Sequence, residues 1–364
     1  MRSTSLGSYV AAPTTGVVNC SRFVGFSGVC DMSQNLQLVI DTDVGLDDAL
    51  ALMLCLASEA WNEAKIHGVT CVHGNTCLEN VCSNTLKVLH AAGRLDIPVF
   101  RGASESLVES PESRAEFYHG CDGFGDFQYP AAPDPDHHIQ KDHAVSFLTK
   151  ITSERPNEIS LLCLGPLTNI ALAIHMDPHF CTNVKEMVIM GGNIAGVGNI
   201  TAAAEFNFHC DPEAAHVVLK SMKSPITIFP WETALTRTNI SYRWRNDVLG
   251  KIQSPQMQLL NQAEANVIAR HYKDGWVQCD PAAAAILMRP SIASSKVTHY
   301  VMVELHGRHT RGAMVLDHIN SQGKKHNVTI IESIDLNLYK ELLLTAAKTN
   351  LSRSKIQKGQ GEET

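Results

Sequence analysis

Short apolar runs alternate with longer segments of helical composition along most of this chain, and this alternation limits the fold more than any other feature. The first pair is LQLVID at 36–41 and, after a glycine-containing turn, DDALALMLCLASEA at 47–60. The short run suits a buried strand, and the long Ala- and Leu-rich segment suits a buried helix. Strands that alternate with helices in this way form parallel βαβ units with right-handed crossovers.

The same alternation continues along the rest of the chain. Further strands are expected at 65–72, 97–102, 158–165, 185–192, 224–230, 297–305 and 327–332. Further helices are expected at 78–93, 142–154, 167–175, 211–222 and 335–349, the last with Asp335 as N-cap. The strand runs are continuously apolar, as is typical of a sheet covered by helices on both faces. We predict one Rossmann-like α/β domain over residues 36–350 with a mainly parallel sheet.

The two ends of the chain differ from this body. Residues 1–35 are rich in Ser, Thr, Gly and Val, and Asp31 is their first acidic residue. We expect a disordered extension there, or translation from Met32; an acid-poor organelle transit segment is the alternative. Residues 351–364 have the composition of a polar tail.

Charge and cysteine content exclude several classes of function. The 30 Lys and Arg against 37 Asp and Glu give a net charge of −7, so no nucleic-acid-binding surface is expected. The longest wholly apolar stretch, 49–57, is far shorter than the roughly 20 residues of a membrane-spanning helix. The 11 Cys include no CxxC pair, which favours reduced, mostly buried thiols. We therefore expect a soluble, cytoplasmic protein without membrane or nucleic-acid partners.

In open α/β sheets, ligands bind at the carboxyl ends of the strands. Here those ends lead into loops that carry carboxylates, amides and glycines, and the first of them holds four acids within eight residues: Asp41, Asp43, Asp47 and Asp48. One or two could stabilise a helix N-terminus, by about 0.3–1 kcal/mol each. Four neighbouring carboxylates stay ionised together only if a cation or several donors compensate their charge. The segment favours a Ca²⁺ or Mg²⁺ site over capping alone.

Three known motifs compete for this segment. An EF-hand loop fails because Leu52 stands where its twelfth position requires Glu. A phosphatase of the haloacid-dehalogenase type fails because Gly45 stands where Thr or Val is needed. DTDVGLDDALA at 41–51 instead resembles the opening motif of the inosine–uridine-preferring nucleoside hydrolase family. Seven further motifs follow in the family's order: VHGNT (72–76), HGCDGFGD (119–126), LGPLTNIALA (164–173), MGGN (190–193), GNITAAAEFNFHCDPEAA (198–215), CDPAAAA (279–285) and TRG (310–312).

The resemblance implies a nucleoside hydrolase fold that assembles as a homodimer or homotetramer. Members of the family hydrolyse the N-glycosidic bond of ribonucleosides to ribose and a free base, and they hold Ca²⁺ at the bottom of the pocket. By position, the ligands here would be Asp43, Asp48, Asp280 and the backbone carbonyl of Leu164. Water and two ribose hydroxyls would complete a sphere of about seven or eight oxygens, which suits Ca²⁺ better than Mg²⁺.

The resemblance also implies a role for each polar residue of the pocket. Asp43 would be the general base that takes a proton from the metal-bound water, and cleavage would pass through an oxocarbenium-like transition state. The other positions would contact the substrate: Asp47, Asn75, Glu205 and Asn207 at the ribose hydroxyls, Asn199 near the 5′ end of the sugar, and His119, from a mobile loop at 119–138, near the base.

Cys279 departs from the commonest family pattern, in which His precedes the ligand Asp and assists the leaving base. A thiol is a poor general acid for that task, but it can still donate a weak hydrogen bond, and a subgroup of the family carries Cys here. Cys279 is therefore expected to contact the substrate. Tyr272, Trp276 and His119 are then the candidates to stack on the base or protonate it. Because of this departure, a non-catalytic nucleoside- or ribose-binding protein stays open as the alternative function, and another metal-dependent hydrolase as a third.

Overall fold

The structure, a computed structural model, describes residues 35–109, 115–271 and 275–352. The extension expected at 1–35 and the tail expected at 351–364 lie almost wholly outside these residues, as does Tyr272. The strands of the described residues are β1 (Leu36–Thr42), β2 (Ala64–Cys71), β3 (Val99–Arg101), β4 (Ile139–Gln140), β5 (Ile159–Cys163), β6 (Glu186–Met190), β7 (Ile226–Phe229), β8 (Ala293–His299), β9 (Val301–Val303), β10 (Met314–Leu316) and β11 (Val328–Ile334).

Most of these strands form a single sheet, in the order β4-β3-β2-β1-β5-β6-β7-β11-β8. Each neighbouring pair is parallel except β11 and β8, which are antiparallel. The other two strands, β9 and β10, form a separate antiparallel pair. The predicted α/β fold with a mainly parallel sheet is confirmed.

Helices follow most of the strands. Their bounds are α1 (Leu46–Ala60), α2 (Leu78–Ala91), α3 (Glu116–His119), α4 (Pro135–His138), α5 (Ala144–Glu154), α6 (Thr168–Met176), α7 (Phe180–Asn183), α8 (Phe206–Cys210), α9 (Pro212–Ser221), α10 (Trp231–Arg237), α11 (Tyr242–Asp247), α12 (Pro255–His271), α13 (Asp280–Met288) and α14 (Leu336–Lys348). Among the described helices, none combines the length and the apolar character needed to cross a membrane.

Successive residues of the central strand β1 enter opposite layers of the core. Leu38 and Ile40 pack in a cluster with residues of α1, α2, α12, α13 and α14. Val39, between them, packs in a second cluster with residues of α5, α6 and α9. Because side chains alternate across a strand, a strand that is apolar throughout can bury both faces in this way. The predicted covering of both sheet faces by helices is confirmed.

The predicted strand at 297–305 is wrong as a single element. β8 ends at His299, and β9 begins at Val301 and leaves the main sheet to pair with β10. The Val301 amide donates to Asn327 Oδ1 at 2.8 Å, so a side chain takes the place of a strand partner at the break. By contrast, Asp335 caps α14 as predicted, accepting from the amides of Asn337 (2.9 Å) and Leu338 (3.1 Å).

Strand order reverses direction at β1, and this places the site. The chain adds β2, β3 and β4 on one side of β1, and then returns to add β5, β6 and β7 on the other. Two crossovers therefore diverge from the carboxyl ends of β1 and β5 and leave a crevice between them. Such a switch point is where ligands bind in open α/β sheets.

Candidate active site

A cavity of about 290 Å³ lies at this switch point. Its polar lining comes from the loops and helices that follow the strands: Asp47, Asn75, Asn199, Glu205, Asn207 and Asp280. His119, Cys279 and Leu164, which the sequence also predicted, line it as well. Asp43 and Asp48 are 1% and 0% exposed and adjoin these residues without lining the cavity. The fold thus gathers the predicted site residues around one crevice.

Three carboxylates converge on the cavity. Asp47 and Asp48 lie in the first turn of α1, and Asp280 is the first residue of α13, which packs against α1. One oxygen of each lies within 4.8 Å of the oxygens of the other two. Two helix N-termini, whose dipoles favour negative charge, therefore present this acidic cluster together. Leaving the cluster without a cation is costly: burial, and then the charges of Asp47 and Asp48, raise the pKa of Asp280 well above its usual range.

Asp48 is held by three donors. Its Oδ1 accepts from Thr42 Oγ1 at 2.5 Å, and its Oδ2 accepts from the Gly45 amide at 2.9 Å and from Asn75 Nδ2 at 3.3 Å. Burial, followed by the charge of Asp47, nevertheless raises the pKa of Asp48 to about 6. The donors fix the orientation of this carboxylate without fully replacing the water it has lost.

Asp43 is held where two glycines allow close approach. Its Oδ2 accepts from the Asn75 amide at 2.8 Å. A Cβ on Gly74 would lie 2.0 Å from that oxygen, and a Cβ on Gly165 would lie 2.8 Å from Oδ1, so side chains at either position would displace the carboxylate. Burial, and then the charge of Asp48, raise the pKa of Asp43 well above its usual range. The predicted ligand and general-base roles of Asp43 stay predictions.

The carbonyl of Leu164, another predicted ligand, lies beside the amide of Asn207. Asn207 Nδ2 donates to the Leu164 carbonyl at 2.7 Å and to the Met190 carbonyl at 3.1 Å. With Nδ2 occupied by the protein, Oδ1 is the polar atom that Asn207 can offer a ligand, and it can accept from a hydroxyl.

Glu205 caps the short helix α8 from inside the cavity wall. Its carboxylate accepts from the amides of Asn207 (2.8 Å), Gly192 (2.8 Å) and Phe208 (3.1 Å). Burial outweighs these bonds and raises the pKa of Glu205 to about 7. A group that titrates near neutrality can accept a hydrogen bond from a bound hydroxyl when it is ionised, or donate one to it when it is protonated.

The last two predicted sugar contacts come from loops. Asn75 Nδ2 donates to the backbone carbonyl of Asp43 (3.4 Å) and to the carboxylate of Asp48. Asn199 lies at the exposed rim of the cavity, where its backbone amide donates to the Ala204 carbonyl at 3.2 Å. One amide is therefore fixed at the acidic end of the cavity and the other is placed at its mouth.

His119 reaches the cavity in a defined tautomer. Its Nδ1 accepts from the Leu46 amide at 3.1 Å, so the ring proton of the neutral imidazole is on Nε2. Nε2 lies 4.0 Å from Asp47 Oδ1. Burial lowers the pKa of His119, which keeps the ring neutral and leaves Nε2–H as a donor toward the cavity.

Cys279 lines the cavity next to Asp280, immediately before α13. Burial, and then the charge of Asp47, raise the pKa of the Cys279 thiol well above its usual range. The thiol is therefore protonated, and a thiolate nucleophile is disfavoured here.

The predicted stacking of Trp276 on a base is wrong. Trp276 is 1% exposed, does not line the cavity, and donates from Nε1 to Glu264 Oε1 at 2.9 Å. The apolar lining comes instead from residues that the sequence did not single out: Met190, Tyr118, Phe206, Trp231 and Val277. Trp231 comes two residues after the last residue of β7, so the strand-end rule could have found it.

Comparison with known proteins gives one consistent result. A sequence model described as inosine-uridine preferring nucleoside hydrolase matches residues 38–341. The pyrimidine-specific ribonucleoside hydrolase RihA of Salmonella typhimurium is 33% identical over 315 residues, 85% of this chain and 97% of its own. Uridine nucleosidase 1 of Arabidopsis thaliana is 39% identical over 206 residues, 57% of this chain and 59% of its own. The solved structure of an inosine-guanosine nucleoside hydrolase has a TM-score of 0.80 and 31% identity, covering 86% of this chain and 99% of that one.

The mainly parallel α/β fold is shared with solved nucleoside hydrolases, and this chain has an acidic cavity at its switch point. Together they define an N-glycosidase of the nucleoside hydrolase class. The chain belongs to the inosine-uridine preferring nucleoside hydrolase family. The resemblance and the enzyme class predicted from the sequence are confirmed.

Proposed function

We propose that this enzyme hydrolyses the N-glycosidic bond of ribonucleosides to ribose and free base, and that it requires Ca²⁺. The observation that carries the proposal is the convergence of Asp47, Asp48 and Asp280 at one end of the cavity. A cavity lined by carboxylates and amides and also by aromatic and apolar side chains matches a ligand with a hydroxyl-rich sugar and a flat base.

The residues present fit a bound cation. Buried carboxylates raise one another's pKa, and none of the described residues that line the cavity is Lys or Arg. A hard divalent cation would supply the missing charge, and all-oxygen donors suit Ca²⁺. Its proposed ligands are the carboxylates of Asp43, Asp48 and Asp280 and the carbonyl of Leu164. Of these, Asp48 and Asp280 belong to the convergent cluster, which Asp47 completes, and Asp43 lies outside it. When bound, Ca²⁺ would lower the pKa of a water and orient the sugar.

Asp43 is the proposed general base. The Asn75 amide and the two neighbouring glycines hold its carboxylate in one orientation beside Asp48. From there Asp43 would take a proton from the attacking water, which general-base catalysis accelerates by about 10²–10⁴-fold. Positive charge that develops on the sugar in the oxocarbenium-like transition state would be stabilised by the surrounding carboxylates.

The polar lining would bind the sugar. Asp47, Asn75, Glu205 and Asn207 offer acceptors around the acidic end, which suits ribose hydroxyls, and Asn199 would contact the 5′ end. Sites built to pair with a hydroxyl reject analogues that lack it, because their buried polar atoms are then left unpaired. The site therefore favours ribosides over 2′-deoxyribosides.

The base would lie against the aromatic and apolar wall. Tyr118, Phe206 and Trp231 would provide its aromatic contacts, and the Nε2–H of His119 would donate to the leaving base. Cys279 is near enough to touch the ligand but holds its proton too tightly to be an efficient acid. Assembly as a homodimer or homotetramer and a cytoplasmic location complete the proposal.

The test is release of reducing sugar by purified enzyme from a panel of ribonucleosides, with and without added Ca²⁺. The panel includes uridine, inosine and guanosine, because these nucleosides appear in the names of similar proteins. Matched 2′-deoxynucleosides serve as controls. Ribose release that needs Ca²⁺ supports the proposal; ribose release unaffected by complete Ca²⁺ depletion contradicts the metal requirement. Binding without ribose release from any riboside contradicts the hydrolytic function.

A further inference from the structure

One carboxylate that does not line the cavity accepts hydrogen bonds from three backbone amides of the loop after β6. Glu232 Oε2 accepts from Ile194 N at 2.7 Å, and Oε1 accepts from Ala195 N at 2.8 Å and Val197 N at 3.2 Å. Hydrogen bonds to an ionised acceptor are stronger than neutral ones, and a carboxylate is acceptor-only, so it suits a concave group of N–H donors.

These amides belong to the loop that carries Asn199. At its base the loop is fixed by buried Asn193, whose Nδ2 donates to the Ala203 carbonyl at 2.8 Å and whose Oδ1 accepts from Met314 N at 3.0 Å. The segment 195–197 is exposed. Glu232 therefore holds the outer part of the loop, between the fixed base and the residue at the cavity mouth.

Glu232 itself stands on a rigid support. It is the second residue of α10, which begins right after β7. The next residue, Thr233, is buried and donates from Oγ1 to the Ile331 carbonyl on β11 at 2.7 Å. The preceding residue, Trp231, lines the cavity and donates its amide to the Gly192 carbonyl at 3.0 Å. The short helix α10 thus links three parts of the molecule: the sheet, the cavity lining that includes Trp231, and the loop after β6.

We propose that Glu232 is a positioning residue that fixes the place of Asn199 at the cavity mouth and thereby sets the preference for ribosides that carry a 5′-hydroxyl. This inference rests on the proposed function, because it assigns Asn199 to the 5′ end of the sugar. Glutamine replaces only part of this function, since its Nε2 amide group would direct N–H donors at a backbone N–H donor where a carboxylate oxygen of Glu232 accepted it.

The kinetic test compares Glu232→Ala and Glu232→Gln with a matched control, Glu304→Ala. Glu304 also accepts hydrogen bonds from two loop amides, those of His306 (2.8 Å) and Gly307 (3.0 Å), but none of these three residues lines the cavity. Each variant is assayed with uridine and 5′-deoxyuridine, and with inosine and 5′-deoxyinosine. We expect both Glu232 variants to lose about tenfold in kcat/KM on the 5′-hydroxylated substrates, mainly through KM, and less than about twofold on the 5′-deoxy substrates.

A double variant tests whether Glu232 acts through Asn199. Adding Glu232→Ala to Asn199→Ala should reduce kcat/KM by less than about twofold beyond Asn199→Ala alone, because residues that act as one unit are non-additive. Equal losses on 5′-hydroxylated and 5′-deoxy substrates, or additive effects in the double variant, overturn the inference and indicate a general structural role.

Amide hydrogen exchange provides a readout that does not need catalysis. In Glu232→Ala, the amides of residues 194, 195 and 197 should exchange at least about tenfold faster than in the wild type, while those of β6 and β7 stay unchanged. Unchanged exchange in the loop overturns the inference. If the wild type releases no ribose from any riboside, the proposed function fails, and this exchange measurement still decides whether Glu232 holds the loop.

Discussion

The Nε2 atom of His119 lies 4.0 Å from Oδ1 of Asp47, while the other ring nitrogen, Nδ1, accepts a hydrogen bond from the Leu46 amide. The Leu46 amide that makes this bond immediately precedes Asp47 in α1. One helix N-terminus therefore selects the tautomer of the histidine and also supplies the carboxylate next to its proton. Such an arrangement prepares a neutral imidazole to donate into the cavity.

Replacing this donor should slow cleavage in a way that depends on the leaving group. We expect His119→Gln to lower kcat on inosine and uridine by about 10–100-fold, at or below the lower end of the range for proton transfer by a side chain. A riboside with p-nitrophenolate as leaving group needs no protonation, and its kcat should change by less than about threefold. Comparable losses on both kinds of substrate in steady-state assays would remove His119 from leaving-group activation.

Removing Ca²⁺ should affect both stability and activity. The predicted ligands converge only in the folded chain, so the cation stabilises the native state by mass action, by about 2.7 kcal/mol at a hundredfold excess over Kd. We expect exhaustive chelation to lower Tm in thermal unfolding and to abolish ribose release, and back-titration with Ca²⁺ to restore both. Mg²⁺ at the same concentration serves as the control. If neither Tm nor activity responds, the metal assignment is wrong.

Asp43→Ala should reduce kcat by at least about 10²-fold, because the variant loses the proposed general base. Binding of ribose, followed by calorimetry, should weaken far less. Asp247→Asn is the matched control, since Asp247 is exposed and pairs only loosely with Arg243 at 3.8 Å. A variant that keeps more than roughly a tenth of wild-type turnover is incompatible with general-base catalysis by Asp43.

The pH dependence of stability should carry the signature of Glu205. Burial raises the pKa of Glu205 from 4.5 to about 7. At a pH between these two values, the folded chain therefore keeps a proton on Glu205 that the unfolded chain has already released. The free energy of unfolding of the Ca²⁺-free enzyme should therefore fall as pH rises from about 4.5 to 7, and Glu205→Gln should remove a contribution on the order of 3 kcal/mol from that fall.

Glu213 offers a control of opposite sign for this titration. Despite partial burial, its hydrogen bond to Arg311 lowers the pKa of Glu213. Its contribution to stability is present above its unfolded pKa and is lost as pH falls. In denaturant unfolding at several pH values, Glu205→Gln should remove a fall in the free energy of unfolding between about pH 4.5 and 7. Glu213→Gln should remove a rise in the free energy of unfolding with pH below about pH 4.5. A Glu205→Gln variant with the wild-type pH profile would refute a raised pKa at this position.

Cys279→Ser should be mild, within about one tenfold step in kcat/KM, because a thiol that holds its proton tightly transfers little of it to the base. Cys279→His should not create a better enzyme, since the pocket was not shaped around an imidazole. Cys181→Ser, a buried thiol that does not line the cavity, is the control. Loss of several hundredfold on purine and pyrimidine ribosides alike in single-turnover experiments would show that the thiol takes part in the chemistry.

Much of the site could be predicted because its residues follow strands. The segments at 41–48 and 72–76 each come directly after an apolar run, and the carboxyl ends of parallel strands meet at one edge of a sheet. That rule places Asp47 and Asn75 together without any knowledge of distances. It fails for Asp280, because among the described residues the element before its helix is α12 and not a strand. Only the family resemblance brought Asp280 into the set.

Trp276 shows where a pattern of residue types stops being informative. A tryptophan three residues before Cys279 is an obvious candidate to stack on a base, yet its indole turns into the core to meet Glu264. Glu264 is itself buried and bonded to Arg245 at 2.7 Å. Which face of a segment a side chain occupies depends on partners far away in sequence, and a local pattern carries no information about them.

The sequence by itself determined the α/β class, the helices on both sheet faces, the acidic loop at the first switch-point strand and the family, because all of these are encoded in local periodicity and in short motifs. Only the tertiary structure decided that Asp47 joins Asp48 and Asp280 within 4.8 Å, that the Leu46 amide sets the tautomer of His119, and that Glu232 holds the loop of Asn199. These relationships depend on the packing of helices such as α1 against α13, and packing is fixed by the whole core at once and not by any one segment.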